Sequence, residues 1–431
     1  MSSRTRPPDR PPIVVVGGGL AGLAAAARLA KHGHPVQLLE SAGALGGAWA
    51  PFPLGHLTVD AAPAVIGFPA PWRDLLRKSG RPLEAELTRC GRQLVPAPAP
   101  AYRFADGTEL VLPSDRGGQF DALRSRYGEA PAVWWRDLLD SLEATWQALR
   151  PLGLEAEPAG RGSLAQAARR LRPKGTLADL AAAAPHPHLS ALIRSVAHRL
   201  GSPPEVTPGW CAVELWIART FGRWSVDNGR TSVLVDVLTE RLGLRKVRVH
   251  PNTTVTAIRL AAGRVEAVAT ADGRTFPAAA VICTVDPWQL TERLLPPPAL
   301  GRLRRDVAPL PPAQAPVVTH RRRGDHHQPL AERIDLDEAG VPVITFQRPG
   351  IDVVHDYRTA VPDPSWGPAW RRRRDLLRRV PVSTDVPGLF LAGASTPAGN
   401  GPSQVLQSGA LASYACHDYA ERSGFSPVRN D

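Results

Sequence analysis

The chain has 431 residues, 43% of them hydrophobic and 21% charged, the make-up of a soluble globular protein rather than of a disordered or membrane-spanning one. That length allows two lobes, each burying a core. Lysine plus arginine exceed aspartate plus glutamate by 52 to 40, a net charge of +12, but beside 45 prolines this reads first as compositional bias, and no nucleic-acid-binding motif accompanies it.

The excess is arginine, because lysine occurs only at Lys31, Lys78, Lys174 and Lys246. The opening MSSRTRPPDRPP is polar and proline-rich, without the apolar stretch of a signal peptide, and no run of roughly 18 apolar residues follows it. Cys90, Cys211, Cys283 and Cys416 are spaced for neither a metal site nor a disulfide framework. The expectation is a cytoplasmic protein, with peripheral membrane contact as an option.

Ile13–Val16 is a β-branched run of the kind that makes a buried parallel strand. Gly17, Gly19 and Gly22 follow in G-x-G-x-x-G spacing, then a helical stretch Leu20–Lys31, then a strand Val36–Leu39 that ends in Glu40. Glycines alone could belong to an apolar strand and a buried alanine-rich helix. Strand, glycine turn, helix, strand and acid in that order point instead to a dinucleotide: Gly17 for the tight turn, Gly19 for approach of the pyrophosphate, Gly22 for helix–strand packing. The helix start offers free amides and a positive dipole end. Glu40 is placed for the ribose hydroxyls and disfavours a 2′-phosphate, hence NADP. A second glycine pair, Gly46-Gly47, follows five residues later, with Ala48 after it.

Further along, YRFADGTELVLP (residues 102–113) predicts a hairpin with Asp106-Gly107 at its turn. Trp135, Leu138, Leu139, Leu142, Trp146 and Leu149 recur at helical spacing and predict a core-facing stripe. Residues 164–219 predict further helices, interrupted by Pro203-Pro204 and Pro208-Gly209. RVEAVATADGRTFP reads as a second hairpin, AAAVICTVDP as a strand and VPVITFQRPG as another. His326-His327, inside RRRGDHHQ, read as a solvated loop and not a ligand set, so no metal is expected. WGPAWRRRRDLLRR (residues 366–379) has two readings, a solvated helix face or a basic amphipathic patch for a membrane surface or an acidic partner. Residues 388–392 then predict a strand, 393–401 a glycine- and proline-containing loop, and Ser403 onward a helix of small residues.

These segments resemble the phytoene desaturase branch of the FAD-dependent amine oxidase superfamily. The likeness is carried by the glycine turn and ESAGALGGAWA near the start, by VPGLFLAGASTPAGNGPSQVLQSGALAS near the end, and by LTVDAAPAVIGFP, FGRWSVDNGRTSVLVDVLTERL and VRVHPNTTVTAI between them. Three positions depart from the family pattern: Ala62 where glycine is usual, Ala48 where a basic residue is frequent, and Ala394 where an acid is frequent.

The resemblance implies an α/β fold: a discontinuous Rossmann-like FAD-binding domain (residues 1–98, 225–290 and 381–431) with a parallel sheet and helices, plus an α+β substrate-binding domain (99–224 and 291–380). It implies FAD contacts at Gly17, Gly19, Leu20, Ala21, Gly22, Glu40, Gly46, Gly47, Ala48 and Val255. Gly393 and Ala394 would line the pyrophosphate and ribityl region, while the amides of Ser403, Gln404 and Val405 would face the flavin ring. Pro63, Trp224, Ser395 and Asn400 are the candidates to face substrate, and no catalytic side chain is assigned. The implied reaction passes hydride from an apolar, isoprenoid-like substrate to flavin N5, with oxygen or a quinone as electron acceptor. An amine oxidase, a double-bond isomerase using reduced FAD and a non-catalytic flavin scaffold stay open.

Overall fold

Five short apolar runs, distant in sequence, lie side by side in one parallel sheet: β1 (Ile13–Val16), β2 (Val36–Leu39), β3 (Arg248–His250), β4 (Ala280–Cys283) and β5 (Leu389–Leu391). This computed structural model describes residues 11–424 except 56, 159, 298 and 325–328. His326-His327 and the first ten residues therefore lie outside the described residues. The strand order is β3-β2-β1-β4-β5, with Val15 opposite Leu38 on one side and Ile282 on the other. That is the doubly wound arrangement, in which ligands bind beyond the carboxyl ends of the strands where the order reverses. β1, β4 and β5 are buried at every residue, as strands covered on both faces must be.

Helix α1 (Leu20–Lys31) is buried from Leu20 to Leu29, on all sides rather than one. Its small side chains allow α3 (Pro402–Arg422) to approach closely: a Cβ added at Gly409 would sit 2.2 Å from the Ala21 carbonyl oxygen. The two chain ends are thus locked together by a glycine contact that any larger residue would break. Arg28, buried at the same seam, donates to the Tyr414 hydroxyl at 2.7 Å and pairs with Asp74. Helix α2 (Val233–Leu244) also packs on α1, and its Arg241 forms a buried pair with Glu86 at 2.5 Å. Burial works to raise the Glu86 carboxyl, but hydrogen bonds from Arg89 and Arg241 outweigh it and hold the group below the usual carboxylate range.

A second, six-stranded sheet runs in the order 314–322, 351–362, 342–348, 331–336, 101–103, 109–111. It is antiparallel apart from the contact between 331–336 and 101–103, and the predicted hairpin with its turn at Asp106-Gly107 forms its last two strands. Alternation is clean on the central strands: Glu332, Ile334 and Leu336, then Ile344, Phe346 and Arg348, face inward. The two inward charges are paired with residues outside the sheet, Glu332 with Arg223 and Arg348 with Asp60 at 3.6 Å. A buried charge left without its partner costs about 3–5 kcal/mol.

Helices cover the inner face of this sheet, among them 129–141, 143–149, 187–199 and 213–221. The predicted apolar stripe is divided between two of them, which meet at Leu142; Trp135, Leu139, Leu142 and Trp146 are core. The arginine tract is not a regular helix. It forms short 3-10 turns at Pro364–Trp366 and Arg373–Arg378, because the buried carboxylate of Asp375 takes the amides of Arg371 and Arg372, each at 2.9 Å. Arg371 and Arg373 spend donors on the carbonyls of Pro309, Ala168 and Leu171. Among the described residues no helix is long and apolar enough to cross a membrane.

Candidate active site

β1 runs out at Val16 into a backbone that only glycine serves well. Gly17 has φ +99°, and a Cβ there would lie 2.3 Å from the Thr284 Oγ1. At Gly22 a Cβ would lie 1.9 Å from the Gly17 carbonyl oxygen, so the third glycine seats the helix on the strand. Gly19 differs: nothing lies within 4 Å of the position its Cβ would take. Gly19 is also the N-cap of α1, and no side chain caps that end. Open space in front of uncapped amides is a berth for a pyrophosphate.

Glu40 closes the cradle. It is 8% exposed, accepting the Gly18 amide at 2.6 Å and the Ala42 amide at 2.7 Å. Gly46 has φ +113° and donates to the Gly18 carbonyl at 2.8 Å; Gly47, at φ +56°, and Ala48 are exposed beside it. The Thr253 amide donates to the Glu40 carbonyl at 2.7 Å, which brings the segment leading to Val255 alongside the acid. The structure therefore assembles Gly17, Gly19, Leu20, Ala21, Gly22, Glu40, Gly46, Gly47, Ala48 and Val255 beyond the carboxyl ends of β1 and β2.

The chain end meets them from the other side. After β5, Gly393 turns at φ +124° with its amide donated to Ser408 Oγ at 2.8 Å, and Ala394 follows. Helix α3 begins at Pro402, its N-cap Gly401 offering no side-chain cap. Proline has no amide and the Val405 amide already bonds the Gly401 carbonyl at 2.8 Å, so Ser403 and Gln404 carry the free donors. The residues present fit a flavin dinucleotide: an open glycine berth, a ribose-facing acid and two uncapped helix ends.

Beyond α3 lies a cavity in two chambers, about 270 Å³ and about 70 Å³. They share a wall made by Leu200, Glu214, Ile217, Asn400 and Gln404. The smaller chamber is lined by Trp146, Trp210 and Trp370, with the buried Arg379 guanidinium 4.3 Å from the Trp370 ring and pushed down to about 10 by burial. The larger is walled by Phe68, Trp135, Leu139, Ile334, Ile344 and Phe346. Such a space is shaped for an elongated apolar molecule.

Polar groups interrupt these walls. At the shared neck Gln404 Nε2 donates to Glu214 Oε1 at 3.4 Å, and burial raises the Glu214 carboxyl above its ordinary range. Burial also pushes the Tyr357 phenol up to about 12 and the His355 imidazole down to about 4. Arg223 faces the larger chamber paired with Glu332.

Of the substrate-facing candidates, Pro63 and Asn400 line the cavity and Trp224 and Ser395 do not. Strand alternation explains Trp224: on Arg223–Val226 successive side chains point oppositely, so Arg223 faces the chamber. The Trp224 indole is tied to the Phe221 carbonyl at 2.9 Å, with the Arg73 guanidinium over its ring. Ser395 is buried, and its carbonyl accepts the Val380 amide. Sequence reasoning missed Arg199, Glu214, Arg223, Glu332, His355 and Tyr357. Only Arg223 had a signal, as the odd-phase neighbour of Trp224.

A parallel dinucleotide sheet joined to an apolar cavity behind an uncapped helix defines a two-lobed flavoprotein. The chain belongs to the family described as flavin-containing amine oxidoreductase, whose model matches residues 20–319, and FAD is its cofactor. Curated relatives place it on the phytoene desaturase-like branch. It is 31% identical over 291 residues to hydroxyneurosporene desaturase of Cereibacter sphaeroides, covering 65% of this chain and 57% of that protein. To the zeta-carotene-forming phytoene desaturase of Myxococcus xanthus it is 29% identical over 310 residues, 68% of this chain and 57% of the relative. The chain thus spans less than two thirds of the length of these curated relatives. Among solved structures it is similar to cyclohexylamine oxidase from Brevibacterium oxydans (TM-score 0.64, 16% identity, 96% of this chain and 99% of that one) and to a putrescine oxidase variant (TM-score 0.65, 15% identity, 96% and 99%). At these identities the likeness is one of fold.

Proposed function

We propose that the chain is an FAD-dependent desaturase of an apolar, isoprenoid-type substrate. The observation that carries this reading is the two-chambered, mostly apolar cavity meeting the uncapped start of α3. FAD, when bound, supplies the hydride acceptor. In this reading Gly17 to Gly22 and Glu40 hold the adenosine half of the cofactor, and the Ser403 and Gln404 amides favour negative charge at the ring. The aromatic walls orient the chain and keep water from the reacting carbons. The substrate-binding lobe would comprise residues 99–224 and 291–380, a division supported by the placement of all five parallel strands outside those ranges. Oxygen or a quinone would take the electrons onward.

The same fold serves amine oxidases, but none of Lys31, Lys78, Lys174 and Lys246 lines either chamber. Anaerobic incubation of the FAD-loaded protein with carotenoid polyenes, and separately with primary amines, tests the choice. A polyene is expected to bleach the oxidised flavin and gain a double bond. Bleaching by amines alone would replace this reading with the oxidase, and isomerisation seen only after prior flavin reduction would replace it with the isomerase.

Peripheral membrane contact is part of the proposal, because an apolar substrate resides in lipid. Arg161, Arg372, Arg374 and Arg378 surround a depression that holds a single acid, Asp306. Arg372 and Arg374 are exposed. With about 1 kcal/mol per basic residue near an anionic surface, R372Q/R374Q should weaken binding to phosphatidylglycerol vesicles roughly 30-fold. Co-sedimentation unaltered by the double substitution would remove this patch as the contact.

A further inference from the structure

We propose that the smaller chamber is a binding site for a carboxylate, held by the guanidinium of Arg379, whether the acid is a free small molecule or one end of a larger ligand. Such a site goes beyond the desaturase reading and stands whether or not a polyene fills the larger chamber.

Arg379 is the one buried arginine of the tract 371–379, with 9% of its surface exposed. Backbone bonds fix it on both sides: its own amide donates to the Leu376 carbonyl at 3.3 Å, and the next amide, of Val380, donates to the Ser395 carbonyl at 2.9 Å. Among the described residues the guanidinium donates no hydrogen bond and forms no ion pair. Its neighbour is the Trp370 ring, whose centroid is 4.3 Å away. Asp375 acts on it from beyond ion-pair distance, but that carboxylate is occupied. One oxygen accepts the Arg371 and Arg372 amides, and the other faces Arg372 and Arg378 at 3.6 and 3.9 Å. A buried cation without an anion is costly, and a ligand that brings a negative charge offsets that cost.

The other polar groups of this chamber do not supply the charge. Burial pushes the Cys211 thiol well above its ordinary range and raises the Glu214 carboxyl, which favours the neutral form of both. The Gln404 amide nitrogen is directed at Glu214 and the Asn400 amide nitrogen at the Leu200 carbonyl, each at 3.4 Å; their oxygens carry no net charge. The Trp210 indole N–H, in the same wall, is buried and has no partner among the described residues. Arg379 itself is pushed down only to about 10 and stays charged at pH 7. Its fork matches the two oxygens of a carboxylate, and a single cation calls for a single negative charge, which separates a carboxylate from a phosphate dianion. A volume of about 70 Å³ has room for such a group.

The test uses the FAD-loaded full chain and three probes, acetate, decanoate and decanol, at pH 7 and constant ionic strength, with binding read by tryptophan fluorescence and by thermal unfolding. A carboxylate is expected to bind and to raise the melting temperature, and R379M should weaken that binding roughly tenfold or more, the worth of one charge-assisted hydrogen bond. Without ligand R379M should be no less stable than the unsubstituted protein, because no anionic partner is left behind. R379K keeps the cation but not the fork, and should bind carboxylate several-fold more weakly. Acetate binding would identify the ligand as a free small acid, and a preference for decanoate over decanol without acetate binding would identify it as the end of a larger ligand; both support the site. Equal affinities for decanoate and decanol together with no binding of acetate, or carboxylate binding unchanged in R379M or R379K, would overturn it and leave the desaturase reading untouched.

Discussion

Replacement of Gly19 by valine is expected to yield a folded protein without flavin. Gly19 has φ −71° and ψ −176°, an extended conformation open to any residue, and its Cβ would meet no protein atom within 4 Å. The fold therefore has no reason to reject a side chain there. The space it would fill is the berth in front of the α1 amides, where each charge-assisted hydrogen bond to a phosphate contributes about 1.5–3 kcal/mol. Loss of two such bonds weakens FAD binding on the order of 100-fold or more. Gly22→Ala is the contrasting case, because its methyl would sit 1.9 Å from the Gly17 carbonyl oxygen and must disturb the strand–helix contact itself. Visible absorbance of the purified variants, with circular-dichroism melts of the flavin-free forms, separates the two outcomes. A G19V protein that retains stoichiometric FAD would refute the placement of the pyrophosphate.

Acidification from pH 7 to pH 5 is expected to destabilise the fold through its buried neutral histidines. His355 is 4% exposed and burial holds its pKa near 4; it packs edge-on against Phe346, and the His320 charge adds to the shift. The unfolded value is about 6.5. Between those two values the unfolded chain binds the extra proton and the folded chain does not, so stability rises with pH across that window and falls on acidification. At pH 5 the loss is about 2 kcal/mol for this one residue. His34, also about 4 through burial and the His417 charge, acts in the same direction. H355Q should remove about 2 kcal/mol of the difference between urea unfolding free energies at pH 7 and pH 5. A wild-type stability that is flat over this range would show that these imidazoles titrate normally.

Much of the cofactor half was legible in the chain because its signals are local. The residues of β1, α1 and β2 could be read to their ends: four β-branched residues, a glycine turn and the eight successive apolar or small positions from Leu20 to Ala27 leave no competing assignment. The hairpin at Asp106-Gly107 was equally clear, since its turn type selects its own residues. The tryptophan and leucine stripe at 135–149 was read as core correctly but as one continuous pattern, because periodicity carries no mark of the break at Leu142. For the arginine tract neither helical reading gives the observed short 3-10 turns, for reasons partly within the segment and partly outside it. Asp375 is buried and takes backbone amides, and arginines that look solvated are bound to carbonyls of residues 168, 171 and 309.

The amino-acid sequence by itself determined the nucleotide cradle, since glycine spacing, a strand period and one acid act over distances the backbone sets. Tertiary structure alone decided the chemistry of the two-chambered cavity. Arg199, Glu214 and Tyr357 each belong to an unremarkable amphipathic segment, and they come to line one cavity only because three separate elements face it. Which face of a strand points inward was decided the same way, by the partner sheet and not by the strand, which is why Arg223 and not Trp224 reaches the chamber. Burial then sets what those groups can do: the same carboxyl that would ionise on the surface is favoured as an acid inside, where water is replaced by apolar walls.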